Sequence, residues 1–380
     1  MRNIFIKRKM RKELEKKGKS FLIQILRYFL KNRPISDRIN LSSIKKILVI
    51  RQDNRIGNPV LVTPLLIAIK RKFPQAKLSF LASEVSAELF SGSKLADELL
   101  VLEKKRYIRN PFAFISNVFK LRRKKFDLAF DCSDENTLSL SHGMWIYLSG
   151  AKYRIGHKRD NSDIFLNIEV PPVDYTRHAV DMHLDLLRFL IPGIPGELPF
   201  LEVRREEEEY IEDYLEKMGI NSEDFLVGIN LGGTGEKRWG FENFIEFGNR
   251  LKRENVKVIY TWGPQEKYWT KNMNNAEILK EILPLPKLSA LLKRCNLFIS
   301  SDSGIMHLAT AVGTPTLAIF IHSDQQKFGP KGEKHRMIFS TDGEVKLPEV
   351  LEEALKMVRG LPSVKQLQMT DNKWQMKNNG

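Results

Sequence analysis

Short apolar runs alternate with longer segments of helical period along most of the chain. Ile47, Leu48, Val49 and Ile50 form an unbroken run of strand length, and the polar turn Arg51 to Gly57 leads into an apolar helical segment from Pro59 to Phe73. Pro74 stops that helix, a second strand follows over Leu78 to Leu81, and Asp127 to Asp131 (DLAFD) reads as a further strand ending in an acid. After a charged helix over Arg204 to Met218 the alternation restarts. It predicts strands at 226–231, 256–261, 297–301 and 316–320, with helices at 241–253, 287–294 and 304–312 between them. Buried strands joined by helices predict parallel sheets covered on both faces, hence an α/β chain with two doubly wound domains.

The break between the two series falls at Pro192 to Pro199 (PGIPGELP), where prolines and glycines interrupt the periodicity. The expected organisation is an N-terminal arm (1–44), a first domain (45–195), a second domain (200–345), and a C-terminal helix with a polar tail (346–380) that frays from Val364 onward.

A chain of 380 residues has room for two sizeable cores, and 42% hydrophobic with 28% charged residues excludes disorder as its main state. Two cysteines, Cys132 and Cys295, make no disulfide framework and fit a reducing compartment. The net charge of +16 is unevenly spread. Residues 1–40 carry thirteen Lys/Arg and three acids, +10 of the total, and the other 340 residues carry only +6. A uniformly basic body that tracks nucleic acid is therefore not expected, and neither is a nucleic-acid partner. Within the arm, Phe21, Leu22, Ile25, Leu26 and Phe29 recur at helical spacing with cations beside them. Such a helix either lies in an anionic membrane interface or packs on the body by its apolar face, and both readings stay open. As a signal peptide the segment fails, because Gln24 and Arg27 interrupt it and no small-residue cleavage site follows. No run approaches the roughly 18 apolar residues that spanning a bilayer requires.

In an open parallel sheet ligands bind beyond the carboxyl ends of the strands, which singles out four turns. RQDNRIGNPVLVTP (51–64) offers Gly57 for a tight turn, Asn58 as an N-cap before Pro59, and the carboxylate of Asp53. LGGTGEKRW (231–239) brings Gly232 and its neighbouring glycines close to any oxyanion, with a hydroxyl on Thr234 and a point charge on Lys237. WGPQE (262–266) supplies Glu266 as an acceptor for a ribose or base. SDSGIMHLA (301–309) reads as a helix start with Ser303 as N-cap, flanked by Asp302 and Gly304, with His307 one turn in. The spacings match neither a Walker A loop nor a dinucleotide fingerprint, so P-loop hydrolysis and NAD chemistry lose ground. No metal-ligand spacing and no nucleophile elbow occurs in these turns.

These turns resemble glycosyltransferase family 9, the ADP-heptose:lipopolysaccharide heptosyltransferases. The resemblance covers about residues 45 to 340 and rests on IRQDNRIGNPVLVTPLL, NLGGTGEKRW and SDSGIMHLATAVGTPTLAIF followed by Gly329-Pro330, with Arg154, Ile155 and Gly156 adding to it. It implies a GT-B architecture, two Rossmann-like domains facing across a cleft. It also implies inverting transfer of a heptose or related sugar from an ADP-sugar to a lipopolysaccharide core or other lipid-linked glycan, with neither metal nor cofactor. By position, Thr234 and Lys237 would hold the phosphates, Glu266 would face the nucleoside, and Gly232, Asp302, Ser303, Gly304 and His307 would line the diphosphate and sugar pocket. A lipid-linked acceptor implies an enzyme on the cytoplasmic side, peripheral at the inner face of the bacterial cytoplasmic membrane. The family usually has Gly-Asp where this chain has Gly57-Asn58, and that Asp is the family's proposed base. Asparagine takes up no proton at neutral pH, so three readings stand: Asp53 acts as base from the same loop, Asn58 only positions the hydroxyl, or the chain is a weakly active relative that binds nucleotide-sugar.

Overall fold

The computed structural model describes residues 18, 20–30, 32, 35, 39–171, 176–233, 235–271, 277–340 and 342–361. Strands β1 (Lys46–Arg51), β2 (Lys77–Ser83), β3 (Glu98–Leu102), β4 (Leu128–Asp131), β5 (Tyr153–His157) and β6 (Ile168–Val170) form one sheet in the order β3-β2-β1-β4-β5-β6. Strands β7 (Leu226–Asn230), β8 (Lys257–Thr261), β9 (Leu297–Ser301), β10 (Thr316–Ile321) and β11 (Arg336–Ser340) form a second, ordered β11-β10-β9-β7-β8. Every pairing in both is parallel. The central strands are apolar on both faces because helices cover both, and Ile47 to Ile50 are fully buried in β1. The chain thus has the two doubly wound sheets that the alternation predicted.

Helix α1 runs over residues 20–29, ahead of the first sheet. The first sheet carries α2 (Gly57–Val60), α3 (Thr63–Lys72), α4 (Glu84–Phe90), α5 (Lys104–Arg109), α6 (Pro111–Arg123), α7 (Leu140–Leu148) and α8 (Ala179–Leu190). Helix α9 (Arg205–Glu216) leads into the second sheet. Its connections are α10 (Phe241–Leu251), α11 (Lys267–Lys271), α12 (Leu285–Arg294), α13 (Gly304–Ala311) and α14 (Gln325–Phe328), and α15 (Leu347–Gly360) packs Val350 and Ala354 into its core. Strand order reverses between β1 and β4 in the first sheet and between β7 and β9 in the second. Crevices at the carboxyl ends of those strands are where such sheets hold ligands.

Three readings change. The helix expected from Pro59 is two helices, α2 and α3, and it starts at Gly57, so Asn58 lies inside the first turn and is not its cap. Its side-chain Nδ2 donates to Asp53 Oδ2 at 3.1 Å, and no side chain caps the helix. The apolar residues of α1 also divide differently. Ile23, Leu26 and Leu30 face inward onto the first domain, while Phe21, Leu22, Ile25, Tyr28 and Phe29 stay exposed. Arg27 pairs with Asp163 at 2.6 Å and Asn32 donates to the Leu166 and Asp163 carbonyls, so the arm is tied down by polar contacts as well. Strands β5, β6 and β11 escaped the pattern because they are short and interrupted or bounded by polar residues, whereas β3 carries an unbroken apolar run, Leu99 to Leu102, that the pattern does offer. No helix among the described residues is long and apolar enough to cross a membrane. The tail from Val364 lies outside the described residues.

Candidate functional site

At the carboxyl end of β1 the chain turns sharply, and Asp53 is the centre of that turn. Its Oδ2 meets Arg51 Nε at 2.6 Å and accepts from Asn58 Nδ2 at 3.1 Å, while Oδ1 accepts the Arg55 N–H at 3.1 Å. Ser83 Oγ donates to the Asp53 carbonyl at 2.8 Å, anchoring the turn to the end of β2. The Gln52 N–H donates to His142 Nε2 at 3.2 Å, which assigns the imidazole hydrogen to Nδ1, 2.9 Å from Ser139 Oγ. Below this turn Asp131 ends β4 at 1% exposure. Burial alone would raise its pKa, but Arg159 at 2.6 Å and the Ser133 N–H hold the carboxyl below the usual range.

In the second domain the last residue of β7, Asn230, joins the ends of three strands. Its Nδ2 donates to Ser300 Oγ (3.0 Å) and Ser303 Oγ (3.3 Å), and its Oδ1 accepts from the Gly232 N–H (3.2 Å) and Thr261 Oγ1 (3.3 Å). This fixes the glycine loop against the start of α13, where Ser303 caps the helix by accepting the Met306 N–H. Lys237 meets Asp302 at 2.8 Å, and Arg238 meets Glu266 at 2.6 Å while the other Glu266 oxygen accepts the Gly263 N–H. Glu266 thus splices the loop after β7 to the turn after β8, and a ribose hydroxyl would use lone pairs that these two donors leave.

The two turns meet across the cleft. A Cβ on Gly57 would lie 2.6 Å from His307 Cδ2 and 3.2 Å from Gly304 Cα, and one on Gly304 would lie 2.9 Å from the Gly57 nitrogen. Two glycines are what lets the backbone of one domain touch that of the other. Around this contact the segment after β10 reaches back to the first domain. Lys327 pairs with Glu135, Lys331 pairs with Asp181, and His178 Nε2 donates to the Gly329 carbonyl at 2.8 Å. The Gly329-Pro330 pair therefore belongs to an inter-domain latch.

Asp53, Asn58, Gly57, Asp302, Ser303, Gly304 and His307 come together, with Lys237, Gly232 and Glu266 on the second-domain side. Thr234 lies outside the described residues. Arg51, Asn230 and Arg238 were missed. Asn230 is the last residue of its strand, one position before the glycine turn, and Arg238 directly follows Lys237 in that turn. Arg154 turns out to bind the Phe165 and Ala151 carbonyls and Asn32 of the arm, away from the cleft. Among the described residues no cluster of three His, Cys, Asp or Glu is arranged to hold a metal ion. Burial pushes both cysteine thiols up, which suits core packing rather than nucleophilic chemistry.

Burial also pushes the imidazoles of His307 and His335 down to about 4 and that of His183 well below its usual value. All three are neutral in the folded chain, whereas the unfolded chain protonates them below about pH 6.5. The unfolded state then binds more protons, so stability is full above that pH and declines as pH falls toward 4. Melting curves from pH 7.5 to 5, where carboxylates contribute little, should show Tm dropping by several degrees, with a smaller drop in His335→Gln. A flat Tm over that range contradicts the assignment.

Residues 117–355 match the family model described as glycosyltransferase family 9 (heptosyltransferase). A lipopolysaccharide core heptosyltransferase of Haemophilus influenzae is 21% identical over 304 residues, 75% of this chain and 82% of that protein. Lipopolysaccharide heptosyltransferase 3 of Escherichia coli is 24% identical over 296 residues, 72% of this chain and 82% of its own length. Among solved structures, a family 9 glycosyl transferase from Veillonella parvula superposes with a TM-score of 0.72 at 22% identity, covering 83% of this chain and 96% of that one. The Escherichia coli ADP-heptose lipopolysaccharide heptosyltransferase II gives 0.68 at 20% identity over 83% and 99%. The shared fold is GT-B.

Proposed function

The chain belongs to glycosyltransferase family 9, and from that premise we propose that it moves a heptose from an ADP-sugar to a lipopolysaccharide core or other lipid-linked glycan, with inversion and without a metal ion. The observation that carries this reading is the meeting of the Asp53–Asn58 turn with the start of α13 through Gly57 and Gly304. An inverting displacement needs a base on one face of the sugar and charge stabilisation for the leaving diphosphate on the other, and the two turns supply one each.

Asp53 takes the proton of the acceptor hydroxyl, Asn58 and Arg51 hold its carboxylate, and the deprotonated oxygen attacks the anomeric carbon as the ADP–sugar bond breaks. The departing diphosphate is met by Lys237 and by the N–H groups at the start of α13, with Gly232 lining the same pocket. Asp302 holds Lys237 in place until the diphosphate competes for it. His307, neutral beside Gly57, lines the sugar pocket, and Glu266 faces the nucleoside side. The relatives named as acting on lipopolysaccharide support a membrane-borne acceptor, and the exposed apolar side of α1 with the cations of residues 1–40 supports an enzyme held on the inner face of the cytoplasmic membrane.

A panel of ADP-, GDP- and UDP-sugars tests the donor. Thermal shift should favour ADP-heptose, and transfer to deep-truncated lipopolysaccharide should persist in excess EDTA. Preference for a GDP- or UDP-sugar, or loss of turnover on chelation, contradicts the reading.

A further inference from the structure

Outside the arm the charge is not spread evenly either. Lys104 to Lys125 contain nine Lys/Arg and not one Asp or Glu, which leaves the chain outside this stretch and the arm slightly acidic overall. The stretch forms α5 and α6. On α6, Phe114, Val118 and Leu121 face inward, Phe114 stacking edge-on to Trp145 at 5.3 Å between ring centroids. The opposite side is apolar as well: Phe112 is 81% exposed and Phe119 64%, with Ile115 between them at helical spacing. Lys105, Arg109, Lys120, Arg122 and Arg123 lie around this face exposed, and no described acid pairs with them.

Helix α1 repeats the arrangement. Its inward residues pack on the same core cluster as those of α6, so both helices cover one side of the first sheet. Its outward residues include Tyr28, 79% exposed, and Phe29. Beside α6 a cavity of about 540 Å³ has an apolar floor that includes Leu81, Leu100 and Trp145, with Lys120 and Arg123 among its lining residues.

We propose that the outward faces of α6 and α1 together form a docking platform for an anionic lipid bilayer, with the aromatic side chains in the headgroup boundary and the cations on lipid phosphates. Exposed aromatics alone would suit any apolar partner. Five exposed cations that no described acid pairs with select an anionic one, and a cationic rim on an apolar floor matches the layering of a bilayer surface. A membrane so placed lies on the side of the first sheet that α6 and α7 cover. The proposal rests on the reading of a membrane-borne acceptor, and lipid binding is scored without transfer so that either can fail alone.

The test is co-sedimentation of the full chain with phosphatidylglycerol/phosphatidylethanolamine vesicles and with phosphatidylcholine vesicles. Binding is expected to the first, weakening as salt rises. Phe112→Ser/Ile115→Ser/Phe119→Ser should lower the partition by about tenfold or more, as should Phe21→Ser/Tyr28→Ser/Phe29→Ser. Lys120→Gln/Arg123→Gln, which leaves every apolar contact in place, should lower it roughly fivefold per cation. Unchanged Tm and thermal shift with ADP-sugar would show that fold and donor site survive. Parental binding by the α6 variants, equal binding to phosphatidylcholine, or a concentration-dependent dimer that only the α6 variants abolish would each overturn the proposal, the last by naming a second copy of the chain as the occupant.

Discussion

Asp53→Asn is expected to lower transfer by about 10²- to 10⁴-fold, the usual contribution of a positioned general base, while the KM for the sugar nucleotide stays near its parental value. Asparagine keeps the shape of the side chain and one carbonyl oxygen to accept from Arg51 and Asn58, so the turn after β1 should survive. What it loses is the ability to take a proton. The donor-side residues lie on the other domain, and for that reason binding and turnover should separate. Parental turnover in this variant would remove Asp53 from the chemistry. The companion variant Asn58→Asp places a second carboxylate where an amide now touches Asp53 at 3.1 Å. Two carboxylates that close cannot both ionise, so one is pushed up in pKa and the pH–rate profile should shift toward alkaline pH. Faster turnover in Asn58→Asp, with Asp53→Asn without effect, would assign the base to position 58 and make the natural chain a weakened relative.

Gly304→Ala should lower turnover by about 10²-fold, the scale expected when reacting groups are displaced by roughly 1 Å. Gly304 sits in the first turn of α13, where alanine is welcome on helix propensity alone. The penalty comes from the neighbour: the added carbon would lie 2.9 Å from the Gly57 nitrogen and 3.0 Å from Ile56 Cβ, and backbone has no rotamer by which to retreat. The two domains must then part. Solution scattering should show a larger radius of gyration, and donor binding should change little because no donor group has been removed. A variant with parental turnover and parental scattering would show that the two turns need not touch for transfer.

Much of this was legible along the chain. Strands such as Ile47 to Ile50 are buried on both faces and must be continuously apolar, and the turns that follow them carry glycine, serine and acid where a ligand sits, so both the sheets and most of the cleft residues stand out locally. Ser303 as a helix cap is local too, since its partner is three residues away. Asn58 failed as a cap because the helix already starts at Gly57, which leaves Asn58 inside the first turn with its amide on Asp53. Asn230 escaped because its partners Thr261, Ser300 and Ser303 come from two other strand ends, brought beside it by strand order alone.

The basic arm was plain from a charge count, whereas the second basic stretch was hidden inside a body that looked nearly balanced. Periodicity on α1 and α6 marks residues as apolar without saying which of them the body covers. Only packing on the first sheet decided that Ile23, Leu26, Phe114 and Val118 turn inward and that Phe29, Phe112 and Phe119 are left outside. By itself the sequence determined the α/β class, the doubly wound halves and the chemical character of each turn, because these depend on burial and hydrogen bonding within a few residues. The tertiary structure decided that Gly57 meets Gly304, that Arg51 and Asn58 hold Asp53, and that Lys327 and Lys331 latch the second domain to the first. The meeting of the glycines and the latch depend on how two separate sheets pack, and the grip on Asp53 depends on the three-dimensional course of one turn; no local periodicity encodes either.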